Sequence, residues 1–125
     1  MPRGTLEVIL ISAKGLDNMD FLNNIDPYVI LTYRTQEHKS TVVKGSNPRW
    51  NESFLFTISD DVCKLNLKLM DKDTFTQDDF LGEAKIHLDP VFYEGSIPET
   101  VYNVVNNNQE YCGEIKVALV FFPKD

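Results

Sequence analysis

Alternation of apolar and polar residues is the feature that most constrains the fold of this chain. In the segment 65–70 the apolar side chains of Leu65, Leu67 and Leu69 alternate with polar ones. Because successive side chains of a β-strand point to opposite faces, this period of two predicts a strand with one buried face. Eight segments show strand patterns of this kind, at 5–13, 28–33, 39–43, 54–58, 65–70, 81–88, 101–105 and 114–122. Short strands at this spacing predict an all-β fold, an eight-stranded antiparallel β-sandwich.

Helical periodicity is nearly absent from the sequence. Only 89–94 is suited to a single helical turn, with Asp89 as its cap. Trp50 and the other aromatic residues are spread over the predicted strands, which favours packing roles in the core. At 125 residues the chain is predicted to form a single domain over residues 1–125.

The negative charge of the chain is concentrated in two loops. Its net charge is -7, and the segments 17–26 and 71–79 each sum to -3, which leaves the rest nearly neutral. This distribution argues against nucleic acid as a partner, because binding to phosphates needs clustered Lys and Arg. The excess charge is local, and we therefore interpret it as functional.

Both acidic segments follow predicted strands, so their carboxylates can converge at one end of a sandwich. At an effective dielectric constant of ~20, two unit charges ~4 Å apart repel by about 4 kcal/mol. Calcium relieves such repulsion and takes six to eight oxygen ligands in flexible geometry, so the clusters predict a Ca²⁺ site. The aspartates of these clusters are Asp20, Asp26, Asp71, Asp73 and Asp79. We interpret their neighbours Asp17 and Asp78 as bystanders.

Simpler or competing interpretations of the acidic loops are weaker. Aspartates also cap turns and remain solvated, but two loops that carry nearly all the net charge are unusual for that role. The EF-hand pattern fails because Thr76 occupies the glycine position and Gly82 the glutamate position. Histidines and cysteines lack the paired spacing of a zinc site, and Mg²⁺ needs fewer carboxylates. A carboxylate pair for hydrolysis is a distant alternative, since no motif supports catalysis; we expect no enzyme.

Apolar residues stand beside the predicted ligands. Phe21, Leu22 and Phe75 either anchor their loops to the core or project as tips into a membrane interface. In the second case each well-buried side chain contributes about 1.5 to 3 kcal/mol. Acidic loops are repelled by an anionic leaflet until cations offset their charge, so the arrangement is suited to an electrostatic switch.

Several segments resemble the C2 domain, a calcium- and phospholipid-binding β-sandwich. The similarity lies in Asp26-Pro-Tyr-Val, in the segment 46–54 with sequence SNPRWNESF, in Asp71-Lys-Asp and in Asp79-Phe-Leu-Gly. The first strand begins just after the N-terminus and a strand lies at the end, which resembles the type II permutation. In size the chain is most similar to small plant C2 proteins of the elicitor-responsive or phloem-protein-like kind, which implies signalling in plant defence.

The resemblance implies specific ligands. It assigns side-chain calcium ligands to the five aspartates and backbone carbonyl ligands to Phe21 and Lys72, while Thr76 stands where some members offer a hydroxyl. Thr74 replaces an arginine found in members that prefer phosphatidylserine, so headgroup selectivity stays open. The lysine-rich strand of phosphoinositide-binding members is only weakly represented, and Lys39, Lys44 and Arg49 are the candidate headgroup contacts, with a solvated strand face as the alternative.

These observations predict a non-enzymatic module that binds Ca²⁺ and then docks reversibly on anionic phospholipid membranes. The alternative is a calcium-stabilised adaptor for a protein partner, without strong lipid binding. Cys63 and Cys112 form no disulfide framework, and no signal-peptide pattern opens the sequence. We therefore expect a cytoplasmic protein that a rise in calcium recruits to the periphery of a membrane, with the plasma membrane as the favoured target.

Overall fold

The computed structural model describes residues 2–16 and 25–124 of the chain. Within these residues it contains eight strands and one short helix, and all strand pairs are antiparallel. The elements are β1 (Gly4–Lys14), β2 (Pro27–Tyr33), β3 (Gln36–Lys39), β4 (Arg49–Ile58), β5 (Lys64–Asp71), β6 (Asp79–His87), α1 (Asp89–Glu94), β7 (Ser96–Val105) and β8 (Tyr111–Pro123).

The strands form two groups of four. Their order is β3-β2-β5-β6-β7-β8-β1-β4, and the halves β3-β2-β5-β6 and β7-β8-β1-β4 meet through the single pair Glu83↔Val105. Apolar side chains from both halves form one buried cluster. The predicted eight-stranded antiparallel β-sandwich is therefore confirmed.

The core follows the period-two pattern of the sequence. Leu65, Leu67 and Leu69 of β5 are fully buried, whereas Asn66 and Lys68 between them are not. Strands β1 and β8 contribute alternating residues of the same kind, namely Leu6, Val8, Leu10, Ile115, Val117 and Leu119. Burial of each such side chain contributes roughly 1.5 to 3 kcal/mol, so these rows stabilise the strands that carry the loops.

The third strand differs from its prediction. It spans Gln36–Lys39 and not 39–43. Ser40 is buried, its backbone N–H donates to Val29 O at 2.9 Å, and its hydroxyl accepts the Val29 N–H at 2.8 Å. Because the serine side chain takes the place of a backbone acceptor, the regular ladder ends there.

Strands β4 and β7 both start earlier than their patterns predict, at Arg49 and Ser96. Strand β7 includes Pro98, which lies in a register irregularity between Ile97 and Thr100. A proline has no N–H to donate, and a bulge tolerates this loss. The prediction treats Ser96 and Pro98 as turn residues and therefore places the start of β7 too late in the sequence.

Helix α1 confirms the predicted turn but not its cap. Leu88 is the N-cap residue and no side chain caps the helix, while Asp89 lies inside the first turn. A carboxylate in that position still interacts favourably with the positive end of the helix dipole. No helix in the described part of the chain is long and apolar enough to cross a membrane.

Candidate metal centre

Three of the predicted ligands lie at one edge of the β3-β2-β5-β6 half. Asp26 immediately precedes β2, Asp71 ends β5 and Asp79 begins β6. The ladder pairs Pro27 with Asp71, and Asp71 with Asp79. Neighbouring strands are about 4.8 Å apart, so this register brings aspartates from distant parts of the sequence to adjacent strand ends.

Asp26 and Asp71 are joined directly. The backbone N–H of Asp26 donates to Asp71 Oδ1 at 2.9 Å, and the backbone N–H of Lys72 donates to Asp26 O at 3.0 Å. These two bonds fix the start of β2 against the end of β5. They hold the predicted ligands Asp26 and Asp71 next to each other.

Asp73 organises the loop that it belongs to. Its Oδ1 accepts the backbone N–H groups of Phe75 at 2.9 Å and Thr76 at 3.2 Å, and its Oδ2 accepts the Thr76 hydroxyl at 2.8 Å. These hydrogen bonds lower the pKa of the Asp73 carboxyl. The bond from the Phe75 N–H has the largest effect, and those from the Thr76 hydroxyl and the Thr76 N–H come next. The side chain is therefore ionised at neutral pH, as a metal ligand must be, and the Thr76 hydroxyl lies beside it.

Asp78 is the residue that the sequence interpretation missed. Its Oδ1 accepts the backbone N–H of Asp73 at 2.9 Å, its Oδ2 accepts the Tyr28 hydroxyl at 2.5 Å, and Lys72 Nζ lies 3.9 Å away. The pKa of the Asp78 carboxyl is lowered, mainly by the hydrogen bond from the Asp73 N–H and to a smaller extent by the one from the Tyr28 hydroxyl. Asp78 is thus no bystander to the loop, which it ties to β2.

The loop after β5 carries an exposed aromatic tip. Phe75 is 93% exposed, whereas most other large apolar side chains of the described chain are buried or half-buried. The ring does not belong to the apolar cluster that the described residues form, so the loop-anchoring interpretation is excluded for Phe75. The remaining predicted tips, Phe21 and Leu22, lie outside the described residues, as does the predicted ligand Asp20.

The donor chemistry of the site is that of a hard cation. Asp26, Asp71, Asp73 and Asp79 offer only oxygen, and Lys72 offers a backbone carbonyl, the ligand type that Ca²⁺ prefers. Within residues 2–16 and 25–124, no group of three or more His, Cys, Asp or Glu side chains is arranged so that it could hold an ion. Asp73 is hydrogen-bonded within its own loop. The chemistry of the donors therefore fits calcium, while the Asp73 side chain is directed to its own loop.

The three candidate headgroup residues belong to different elements. Lys39 ends β3, Lys44 lies in the connection to β4, and Arg49 begins β4. All three are exposed. Strands β3 and β4 are the two edge strands of the order, and side-chain hydrogen bonds such as His38 Nε2 to Leu55 O at 2.9 Å join them.

Comparison with known proteins identifies the family. A model of the C2 domain matches residues 4–116. The Arabidopsis thaliana protein named 16 kDa phloem protein 2 is 59% identical over 127 residues, covering 100% of this chain and 86% of that protein. The protein named Elicitor-responsive protein 3 from Oryza sativa subsp. japonica is 56% identical over 127 residues, covering 100% of this chain and 88% of that protein.

Solved structures agree with this result. The structure of a C2 domain-containing protein has a TM-score of 0.87 and 59% identity and covers 99% of this chain and 92% of its own. The calcium-bound pair of C2 domains of Extended-Synaptotagmin 2 has a TM-score of 0.79 and 25% identity and covers 98% of this chain and 47% of its own. The chain belongs to the C2 domain family and is related to the plant elicitor-responsive and 16 kDa phloem proteins.

Proposed function

We propose that this C2 domain, over residues 1–125, is a non-enzymatic module that binds Ca²⁺ and then docks reversibly on anionic phospholipid membranes. The side-chain ligands are Asp20, Asp26, Asp71, Asp73 and Asp79, with the backbone carbonyls of Phe21 and Lys72. The observation that carries the proposal is the strand register, which places Asp26, Asp71 and Asp79 at adjacent strand ends. The calcium-bound state of the Extended-Synaptotagmin 2 domains supports the choice of ion.

The loop contacts support a site whose ligands are partly preorganised. The hydrogen bond from Asp26 N to Asp71 Oδ1 sets the spacing of two ligands, and Asp78 holds the backbone at Asp73. Bound calcium supplies positive charge that offsets these carboxylates and lets them approach an anionic surface. Positions fixed before binding reduce the entropy that ordering the loop would otherwise cost.

Phe75 supplies the apolar part of membrane docking. The exposed ring stands two residues after a proposed ligand, so it reaches the membrane at the same place as the metal site. Phe21 and Leu22 complete the set of tips in this proposal. Transfer of one such ring from water to the interface contributes up to about 1.5 to 3 kcal/mol, which suits reversible binding.

Cosedimentation with phospholipid vesicles tests the proposal. The protein should pellet with phosphatidylserine-containing vesicles in calcium and stay in the supernatant when calcium is chelated. Vesicles of phosphatidylcholine alone are the matched control, because they lack the anionic charge. Equal binding to the anionic vesicles with and without calcium would contradict the switch, and absence of binding in both conditions would favour an adaptor role.

An adaptor role for a protein partner is the second candidate. A groove of about 960 Å³ lies between α1 and the two chain ends, at the end of the sandwich opposite the acidic loops. Tyr93 on this groove is 88% exposed, and exposed aromatic residues are common in protein interfaces. In this role the calcium site would stiffen the loops.

The proposed location follows from the same switch. The domain is cytoplasmic at low calcium and moves to the periphery of a membrane, where it signals, when calcium rises; the plasma membrane is the proposed target. Lys39, Lys44 and Arg49 are the proposed contacts with lipid headgroups. Imaging of a fluorescent fusion during a calcium pulse tests this location: movement from cytoplasm to cell periphery supports it, and a static distribution contradicts it.

A further inference from the structure

A second charged site lies on the β7-β8-β1-β4 half of the sandwich. A cavity of about 340 Å³ opens there and is lined by residues of all four strands, including Ser12, Lys14, Arg49, Val101, Glu114 and Lys116. The lining holds three cations and one carboxylate, a local charge of +2 in a chain of -7. We call this cavity the β1 groove.

The strand register places four residues that line the β1 groove in one row across the sheet. Val101 pairs with Lys116, Lys116 with Ser12, and Ser12 with Arg49. A β-bulge between Leu10 and Ser12 interrupts both ladders of β1 at this point. With strands about 4.8 Å apart, the backbones of Lys116 and Arg49 flank the small Ser12 side chain at a separation of about 10 Å. Their long side chains can both reach a group that lies over Ser12.

Hydrogen bonds fix one wall of the groove. The backbone N–H of Ala13 donates to Pro48 O at 3.0 Å, and the N–H of Gly15 donates to Asn47 Oδ1 at 3.1 Å. These bonds hold the residues just before β4 against the end of β1, and they thereby hold Arg49 beside Ser12. The cations of the groove are thus attached to a rigid frame and do not belong to a loose loop.

Two of the three cations have no side-chain partner among the described residues. Lys14 Nζ lies 3.3 Å from Glu114 Oε1, so that pair is internally neutral. Neither Arg49 nor Lys116 has a side-chain hydrogen bond or ion pair with any residue in 2–16 or 25–124, and the Ser12 hydroxyl is likewise unused there. The groove therefore offers two positive charges and a hydroxyl to a ligand.

We propose that the β1 groove binds a phosphate monoester. A phosphate monoester carries about -1.5 to -2 charge at pH 7, which balances Arg49 and Lys116, and its oxygens accept charge-assisted hydrogen bonds from both. Arginine suits this role because its planar guanidinium can bind two oxygens at once. Among the described residues, the proposed metal ligands Asp26, Asp71, Asp73 and Asp79 border β2, β5 and β6, whereas the groove is lined from β1, β4, β7 and β8. Arg49 is also one of the headgroup contacts proposed above, so the groove deepens that part of the proposed function by adding Ser12 and Lys116, and it does not rest on the calcium switch.

Titration with inorganic phosphate, followed by NMR of the ¹⁵N-labelled chain with calcium chelated, tests the proposal. We expect saturable shifts of the amide signals of Ser12, Ala13, Arg49 and Lys116. Arg49→Gln combined with Lys116→Gln should weaken binding at least about tenfold, because two charge-assisted hydrogen bonds are lost. Lys64→Gln with Lys85→Gln is the matched control, since it removes the same charge from exposed positions of the other half.

Two further probes identify the source of the phosphate. Saturable binding of glycerol 3-phosphate at the groove supports a free phosphate ester. Binding that requires phosphatidylcholine vesicles with phosphatidylinositol 4-phosphate supports a lipid headgroup, provided the groove variant loses it. Linear shifts without saturation, or equal weakening in the groove and control variants, would overturn the proposal, because either result indicates general charge screening. Ser12→Ala should give a smaller loss than the groove variant in either case.

Discussion

The hydroxyl of Tyr28 donates a hydrogen bond of 2.5 Å to Asp78 Oδ2 and so links β2 to the loop between β5 and β6. Tyr28 is buried, and burial, followed by the Asp78 carboxylate, raises its pKa to about 12. Asp78 also accepts the backbone N–H of Asp73. One carboxylate thus connects the Asp-Pro-Tyr segment with the backbone of a proposed calcium ligand.

Loss of this hydroxyl should destabilise the fold and loosen the loop. Tyr28→Phe keeps the buried ring but removes a donor to a partly solvated carboxylate, so the free energy of unfolding should fall by roughly 1 kcal/mol. Urea denaturation measures this change. Tyr93→Phe is the matched control, because that ring is 88% exposed and should show almost no effect. Equal stability of Tyr28→Phe and the unaltered protein would show that the bond contributes nothing.

Tyr33 should make stability dependent on alkaline pH. Its hydroxyl donates to Val62 O at 2.8 Å, and burial, followed by the negative charge of Asp60, raises its pKa from 10.0 to about 12. The folded state therefore holds this proton more tightly than the unfolded state. The resulting stability is complete below pH 10.0 and is lost as the pH rises toward about 12.

Urea denaturation across that pH interval checks the prediction for Tyr33. Tyr33→Phe should lower stability at neutral pH but show a shallower decline between pH 10.0 and about pH 12. Tyr28 titrates over the same interval, so the variant with both substitutions should have the flattest profile. An unchanged slope in Tyr33→Phe would contradict the assignment.

Removal of two proposed ligands should abolish calcium binding and spare the fold. Asp26→Asn with Asp73→Asn keeps side chains of the same shape and withdraws two negative charges from the site. Isothermal titration should then show no calcium binding, and the rise in melting temperature caused by calcium should vanish. Asp61→Asn with Asp89→Asn makes the same charge change at exposed positions elsewhere. Calcium affinity that is undiminished in the first variant would refute these ligands.

Truncation of the exposed tip should weaken membrane binding without affecting the metal. Phe75→Ala should lower vesicle affinity by about tenfold or more, the equivalent of roughly 1.5 kcal/mol of apolar transfer. Phe21→Ala should add to this loss. Tyr93→Ala is the control, because it removes an exposed aromatic side chain from the opposite end of the sandwich. Vesicle binding as tight as before in Phe75→Ala would show that the ring stays in water.

The architecture could be predicted because period two is a local signal. The rows of Leu65, Leu67 and Leu69 and of their partners in β1 and β8 specify which face is buried, and the structure agrees. The end of β3 was mispredicted because Ser40 uses its side chain where a strand uses its backbone. No periodicity can reveal that exchange.

The candidate site was only partly accessible to sequence analysis. The spacing of the aspartates indicates which residues can hold a cation. The role of Asp78, however, depends on its hydrogen bond with Tyr28, which lies 50 residues away along the chain. Likewise, the β1 groove requires the register that places Lys116 beside Ser12 and Ser12 beside Arg49. Such partnerships arise from strand pairing and need the folded structure.

A calcium titration with and without anionic vesicles tests the central claim most directly. If calcium binding and membrane docking are coupled, each must strengthen the other by the same factor. The apparent calcium affinity should therefore rise when phosphatidylserine-containing vesicles are present, and it should not rise with phosphatidylcholine alone. Identical calcium affinity in all three conditions, or no calcium binding at all, would contradict the account.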